Sequence, residues 1–162
     1  MFRLAFLRPS ILFHPAPASA TLILSCAMTI LLPTAPAVAE ERITILTPDA
    51  VQYRTDSKAP DILVAVVAGD PQNGFYTLRV KFPRDVKTPP HFHPDTRTVT
   101  VISGIYYFGE GTVFAADKMQ GYGPGTVIVV PAGKPHFSWA RDGEVIIHEA
   151  GIGPTGVTLT DH

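Results

Sequence analysis

Short runs rich in Val, Ile, Thr and aromatic residues recur along the chain from Glu40 onward. Turn segments rich in Gly, Pro, Asn and Asp separate them. Only Ala115 to Gln120 has the composition of a helical turn. Strands this short and this regularly punctuated predict one all-β domain, built as a sandwich or barrel. The predicted strands are RITIL (42–46), ILVAVVA (62–68), FYTLRVKF (75–82), RTVTVIS (97–103), IYYF (105–108), TVIVV (126–130), HFSWA (136–140), EVIIHEA (144–150) and GVTLT (156–160).

The N-terminal segment, residues 1–39, differs in composition from the rest. It carries two arginines and no acidic residue, then the apolar stretch ATLILSCAMTILL (20–32), and it ends in Ala37-Val38-Ala39. A basic start, an apolar middle and an A-x-A ending are typical of a secretory signal peptide. We therefore predict cleavage before Glu40, a single domain over 40–162, and a periplasmic or secreted protein. An uncleaved anchor and lipidation at Cys26 are the alternatives.

Cleavage would change the chemistry that is open to the mature chain. It removes the only cysteine, Cys26, so neither disulfides nor thiolate metal ligands would remain. Without Arg3 and Arg8, 11 basic residues stand against 14 acidic ones, a net charge of −3. The absence of a basic stripe argues against a nucleic-acid partner. No later apolar run is long enough to span a bilayer, so no stable membrane association is expected after cleavage.

Three histidines suggest a metal site. His91 and His93 are two residues apart, and side chains so spaced on an extended chain point to the same face. His136 follows the tight turn Pro131 to Pro135 at the start of another predicted strand. Three neutral imidazoles on rigid strands suit Fe, Mn, Zn, Ni or Cu. An H-x-H pair alone is also typical of structural or surface histidines.

The two histidine segments resemble the two signature motifs of the cupins, which are small β-barrels related to jelly rolls. The second motif, G-x5-P-x-G-x2-H-x3-N, is matched at Gly125, Pro131, Gly133 and His136, with Ala140 in place of the final Asn. The first, G-x5-H-x-H-x3,4-E-x6-G, is matched by three residues and departed from at two. Its matches are His91, His93 and Gly104, while Asp85 stands at its leading Gly and Arg97 at its Glu. The resemblance implies the cupin double-stranded β-helix, a small jelly-roll barrel.

By this resemblance, His91, His93 and His136 are the ligands of one divalent transition metal. Such a site leaves positions open for water, dioxygen or substrate. A barrel that has lost its metal, and keeps the histidines for packing or ligand binding, is the alternative. A third interpretation rests on His93-Pro94-Asp95, an H-x-D pair like that of 2-oxoglutarate oxygenases. There Asp95 would supply the carboxylate, and Arg97 or Arg141 would bind the cosubstrate.

Other residues are candidates for the pocket, and three of them for catalysis: Arg97, His148 and Tyr106. In EVIIHEA (144–150), alternation lets either His148 or Glu149 point inward, but not both. Glu149 inside the barrel would need a cationic partner such as Arg97. Either Tyr106 or Tyr107 would line the cavity and donate a hydroxyl. Packing and solvent-exposed positions are the alternatives for these residues.

Arg97 raises an electrostatic problem. A charge of +1 at about 6 Å from a +2 ion, at an effective dielectric of about 20, costs roughly 5 kcal/mol. Two arrangements avoid this cost. Arg97 pairs with a carboxylate such as Asp95 or Glu149, or it awaits an anionic ligand that bridges guanidinium and metal.

Together these features predict an exported cupin that acts on a small anionic or enolisable molecule. The reaction would be of dioxygenase, isomerase or lyase type, and a non-catalytic binding or sensing cupin is the alternative. We also predict a homodimer, because Phe137 and Trp139 face away from His136 and cupins commonly pair through outer sheet faces. Coverage of these aromatics by the strands at 42–46 and 62–68 is the alternative.

Overall fold

The computed structural model describes residues 42–56 and 59–160. The predicted signal peptide and its cleavage site therefore lie outside the described residues. Residues from Ile43 onward cluster as one compact unit. Two short 3₁₀ turns, Pro48–Ala50 and Ala116–Lys118, are the helical elements of the described part. No helix of those residues is long and apolar enough to cross a membrane.

The strands form two antiparallel sheets. The first, sheet A, has the order β1-β2-β3-β10-β5-β8, and the second, sheet B, has the order β11-β4-β9-β6-β7. Their bounds are β1 Arg54–Asp56, β2 Ala59–Gly69, β3 Phe75–Phe82, β4 Lys87–Phe92, β5 Arg97–Ser103, β6 Tyr106–Glu110, β7 Gln120–Tyr122, β8 Val127–Val130, β9 His136–Trp139, β10 Val145–Ile152 and β11 Thr158–Leu159. The predicted all-β class is confirmed, and a helical turn forms at 116–118 as predicted. The turn at Pro48–Ala50 was not predicted.

Alternation in the strands places the core between the two sheets. In β3 every second residue from Tyr76 to Phe82 is buried, and β5 shows the same period. Buried residues of both sheets form one hydrophobic cluster, which includes Val80, Val101, Tyr106 and Phe108.

The prediction for residues 42–46 was wrong. RITIL forms no strand, and Ile43 and Ile45 are 96% and 82% exposed. Its composition favours a strand, but an isolated strand is not stable unless it finds a sheet to pair with. The edge position of sheet A is taken by β1, which pairs with β2.

A backbone requirement explains one departure from the motifs. Asp85, which stands where the first cupin motif has its leading Gly, has φ 67°. The motif glycines Gly104, Gly125 and Gly133 also have positive φ. Asp tolerates the left-handed region better than most residues because its short side chain bonds locally. Asp85 can therefore replace glycine there without changing the turn.

Candidate metal centre

The three predicted ligand histidines come together inside the barrel. His91 lies on β4 opposite His136 of β9, and His93 follows the end of β4. One ring nitrogen of each residue lies within 4.8 Å of the others. All three side chains are buried. The three residues thus form a compact set of nitrogen donors, drawn from two neighbouring strands.

Backbone carbonyls hold each ring by its Nδ1 atom. Nδ1 of His91 donates to the carbonyl of Pro89 at 2.8 Å, and Nδ1 of His136 donates to that of Lys134 at 3.0 Å. Nδ1 of His93 donates to the carbonyl of Gly156 at 2.7 Å. This arrangement fixes the tautomer and leaves the Nε2 lone pairs free, as metal-ligating histidines require.

Electrostatics keeps the imidazoles neutral. Burial lowers the pKa of all three, to about 3 for His93 and to about 4 for His136. The positive charge of Arg97 adds to this effect. Neutral imidazole is the form that binds a metal, so the donor set fits a divalent ion such as Fe, Mn, Zn, Ni or Cu.

Arg97 is held by two carboxylates. Its side chain is 4% exposed, with Nη2 at 2.7 Å from Oδ1 of Asp95 and Nη1 at 2.9 Å from Oε2 of Glu149. Nη2 also donates to the hydroxyl of Thr155. Of the two arrangements that avoid the electrostatic cost, the structure therefore has the carboxylate-paired one. Arg97 is not a free clamp for an anion.

Asp95 is the centre of this network. Its carboxylate accepts hydrogen bonds from Arg97, from the hydroxyl of Tyr76, and from that of Thr155 at 2.6 Å. Burial acts to raise the pKa of Asp95, but these hydrogen bonds lower it below its usual value. We call the set Tyr76, Asp95, Arg97, Glu149 and Thr155 the Arg97 network.

The Arg97 network leaves no room for a side chain at Gly151. A Cβ there would lie 2.6 Å from Oη of Tyr76 and 2.8 Å from Oδ2 of Asp95.

The positions of Asp95 and Arg141 exclude the interpretation as a 2-oxoglutarate oxygenase site. Asp95 does not belong to the histidine group, and Arg141 lies exposed, where it contacts Tyr107 and Asp142.

The choice between His148 and Glu149 is decided by the register of β10. Glu149 lines the main cavity together with the three histidines, whereas His148 does not. His148 faces the other side of sheet A, opposite Arg79. Placing His148 among the catalytic residues is therefore not supported, because strand alternation turns it away from the cavity.

Glu149 and Tyr106 are two acid–base groups of the cavity lining, which also includes the exposed carboxylate of Asp61. Burial raises the pKa of Glu149, against the opposing effect of Arg97, and burial also raises the pKa of Tyr106. Oε2 of Glu149 accepts a hydrogen bond from Nη1 of Arg97. Tyr107 is directed to Asp142 and Arg141 on the outside. Tyr106 is thus the inward tyrosine of the pair.

The aromatic residues behind the site are covered within the chain. Phe137 is fully buried, and its ring lies 5.1 Å from that of Phe114, a residue of the loop between β6 and β7. Coverage by the strands at 42–46 and 62–68 was the alternative to the predicted homodimer, and the residue that packs on Phe137 is instead Phe114 of this loop. Phe137 offers no exposed surface to a second copy, and the homodimer stays a prediction.

No family model and no curated protein matches the chain. Solved structures do. The polyketide cyclase RemF from Streptomyces resistomycificus superposes with a TM-score of 0.63 at 17% identity, over 75% of this chain and 87% of that one. A sugar phosphate isomerase of the cupin superfamily from Silicibacter pomeroyi gives 0.59 at 18% identity, over 74% and 83%. A Klebsiella pneumoniae protein with a double-stranded β-helix domain gives 0.58 at 18% identity, over 75% and 100%. The predicted fold is confirmed.

Proposed function

We propose that this chain, which has the cupin fold, is a metal-dependent enzyme that acts on a small enolisable molecule. The observation that carries the proposal is the tethering of His91, His93 and His136 through Nδ1 to three backbone carbonyls. Histidines that serve only for packing do not need three ring nitrogens within 4.8 Å of one another, with each Nδ1 bound to a carbonyl. A divalent metal held there would act as a Lewis acid on a carbonyl oxygen.

The chain's own residues supply the proton transfer. Oε1 of Glu149 is available to accept a proton from the carbon beside that carbonyl, and the raised pKa of Glu149 makes it a better base. Arg97 holds the other oxygen, Oε2, and so fixes the carboxylate. The hydroxyl of Tyr106, which stays protonated, is available as a donor.

An acid–base pair of this kind favours isomerase or lyase chemistry over dioxygen chemistry. Enzymes named a polyketide cyclase and a sugar phosphate isomerase among the structural neighbours support an enzyme on small molecules. An anionic substrate is less well supported than an enolisable one, because it depended on a free Arg97. The competing function is a binding or sensing module that uses the same cavity without turnover.

Proton exchange tests the proposal. Metal content is first measured on protein from its native compartment, and the exchange of the methyl protons of acetophenone in D₂O is then followed by NMR. We expect the metal-loaded protein to accelerate exchange, and Glu149→Gln to lower the rate about 10²–10⁴-fold, as for a lost general base. Glu144→Gln, an exposed carboxylate outside the cavity, is the matched control. Bound metal and bound ketone without exchange would establish the binding module instead.

We also propose that the protein is exported and cleaved before Glu40. The composition of residues 1–39 supports this proposal. Intact mass of the exported protein tests it, with a mature chain that begins at Glu40 as the expected result. A species that retains Cys26 would overturn both the cleavage and the cysteine-free mature domain.

A further inference from the structure

The main cavity is large and has two different ends. Its volume is about 920 Å³, near the upper limit of the roughly 300–1,000 Å³ typical of pockets for drug-sized ligands. The three histidines, Arg97 and Glu149 line one end, which we call the polar end. The other, which we call the apolar end, is lined by Ile62, Val64, Leu78, Val80, Phe82 and Val86.

The register of sheet A shows how this gradient is built. Arg97 pairs with Gly151, and the next inward row contains Glu149 between Leu78 and Val99. Beyond the row that contains Glu149, every residue of sheet A that faces inward is aliphatic or aromatic. Those rows are formed by Val64, Val80, Ile147 and Val101, and then by Phe82 and Val145. A ligand that extends from the histidines along the barrel therefore passes from polar to apolar walls within two rows.

The cavity offers no free cation to an anionic ligand. Arg97 is bound by Asp95 and Glu149, which leaves that cluster without excess positive charge. Lys87, the other basic residue of the lining, places its ammonium group 4.2 Å from the ring centre of Trp139. Trp139 is not part of the lining, so this charge is directed away from the interior.

Midway along the cavity the polar groups are uncharged. Thr88 and Tyr106 line it there, and Thr88 is bonded to the hydroxyl of Ser138 at 2.8 Å. These hydroxyls can accept or donate a hydrogen bond to a carbonyl or hydroxyl group. They do not compensate the desolvation of a charge.

We propose that the substrate is an uncharged molecule, with one carbonyl or enol group at the polar end and an apolar body at least as large as a naphthyl group. This inference deepens the proposed function and rests on it for the role of the carbonyl. The apolar body lies against Val64, Val80 and Phe82, and its burial supplies most of the affinity. The carbonyl is thereby brought to the histidines and to Glu149.

Binding of a graded set of probes tests the inference. We expect 2-acetylnaphthalene to bind the metal-loaded protein at least tenfold more tightly than acetone, because the larger body buries more apolar surface. In protein freed of metal by a chelator, we expect 2-acetylnaphthalene to bind more tightly than 2-naphthoate, which has the same apolar body and a negative charge. Affinity is measured by calorimetry, with metal content determined on each sample.

Two variants locate the apolar body. Val64→Trp, which fills the apolar end, should weaken binding of 2-acetylnaphthalene at least tenfold. Val127→Trp, on an exposed position of sheet A outside the cavity, should leave binding unchanged. Val64→Thr, which keeps the shape, provides a second test if the Trp variant does not fold, with a loss of about threefold or more.

The outcomes separate this inference from the proposed function. Equal affinities for acetone and 2-acetylnaphthalene would show that the substrate needs no apolar body. Equal effects of Val64→Trp and Val127→Trp on binding would show the same. If protein freed of metal by a chelator binds 2-naphthoate more tightly than 2-acetylnaphthalene, the proposal of an uncharged ligand is wrong. If protein from its native compartment holds no metal and cannot be loaded with one, the metal enzyme is refuted, whereas Val64-dependent binding of 2-acetylnaphthalene to that protein would still support the ligand class.

Discussion

The two ends of the barrel interior are built by different forces. At the polar end, side chains are held by directed hydrogen bonds: three imidazoles on backbone carbonyls, and Arg97 on two carboxylates. At the apolar end, residues such as Ile147 and Val145 are fully buried and held by packing alone. Hydrogen bonds fix direction, while packing fixes position and contributes most of the stability.

This difference means that the two ends should fail in different ways. Removing a ligand histidine should cost metal affinity, because the barrel does not depend on that side chain for its core. Removing a core aliphatic should cost unfolding free energy, because its packing contacts are lost and a cavity is left. The Arg97 network shares features of both ends. Its side chains are buried, as in the core, and they are held by directed hydrogen bonds, as the histidines are.

The largest expected effect is on metal affinity. Because His136 supplies one of the three nitrogen donors found among the described residues, His136→Ala should weaken metal binding by more than the ~10–100-fold typical of a residue that only orients a ligand. Metal analysis after dialysis measures it, and circular dichroism should show the strands intact. His148→Ala, which removes a histidine outside the cavity, should keep full metal content. Equal metal in wild type and the His91/His93/His136 triple alanine variant would show that these residues are not the ligands.

The second effect concerns the charge network. Arg97→Gln leaves Asp95 and Glu149 buried without their partner, and breaking a buried pair in this way costs about 3–5 kcal/mol of unfolding free energy. Arg141→Gln, which removes an exposed pair with Asp142, should cost far less, because water screens that pair. Denaturant unfolding measures both. If Arg97→Gln is as stable as wild type and instead loses affinity for a small anion, Arg97 is a ligand clamp.

The third effect concerns the hydrophobic packing at the apolar end. Ile147→Ala removes a fully buried side chain and should cost about 2–5 kcal/mol of unfolding free energy. Metal content should not change. Ile146→Ala, the neighbour that faces the outside, should cost less because Ile146 is only half-buried. A loss of metal in the folded Ile147→Ala protein would show that the two ends are coupled.

How far the sequence predicts this molecule follows from the range of each interaction. Strand composition and turn residues are local, so most strands and the shared face of His91 and His93 were predictable. The convergence of His136 with them followed from the resemblance to the cupin motifs. Asp95 and Glu149 were predicted as possible partners of Arg97, although the sequence left open whether Arg97 pairs with them or awaits a ligand. The contact with Thr155 was not predictable, because Thr155 lies 58 residues from Arg97 along the chain. The inward residue of β10 was ambiguous because Val145, Ile146 and Ile147 are apolar on both faces, which leaves the register undetermined.

The smallest effect links the two kinds of interaction. Thr155 binds Asp95 and Arg97, and the next residue, Gly156, supplies the carbonyl that holds Nδ1 of His93. The Arg97 network therefore anchors the loop that orients one metal ligand. Thr155→Val keeps the shape and removes the hydroxyl, which should weaken metal binding about tenfold, at the lower end of what orienting partners contribute.

The matched control is Thr155→Ser, which keeps the hydroxyl and should restore metal affinity. A merely structural role would lower the unfolding free energy of Thr155→Val by about 1 kcal/mol without changing the metal dissociation constant of the folded protein. Competition with a chelator measures that constant for the three proteins. If Thr155→Val binds metal as wild type does, the loop does not need the Arg97 network to orient His93. The polar end would then consist of two independent parts, a histidine site and a buried ion-pair cluster.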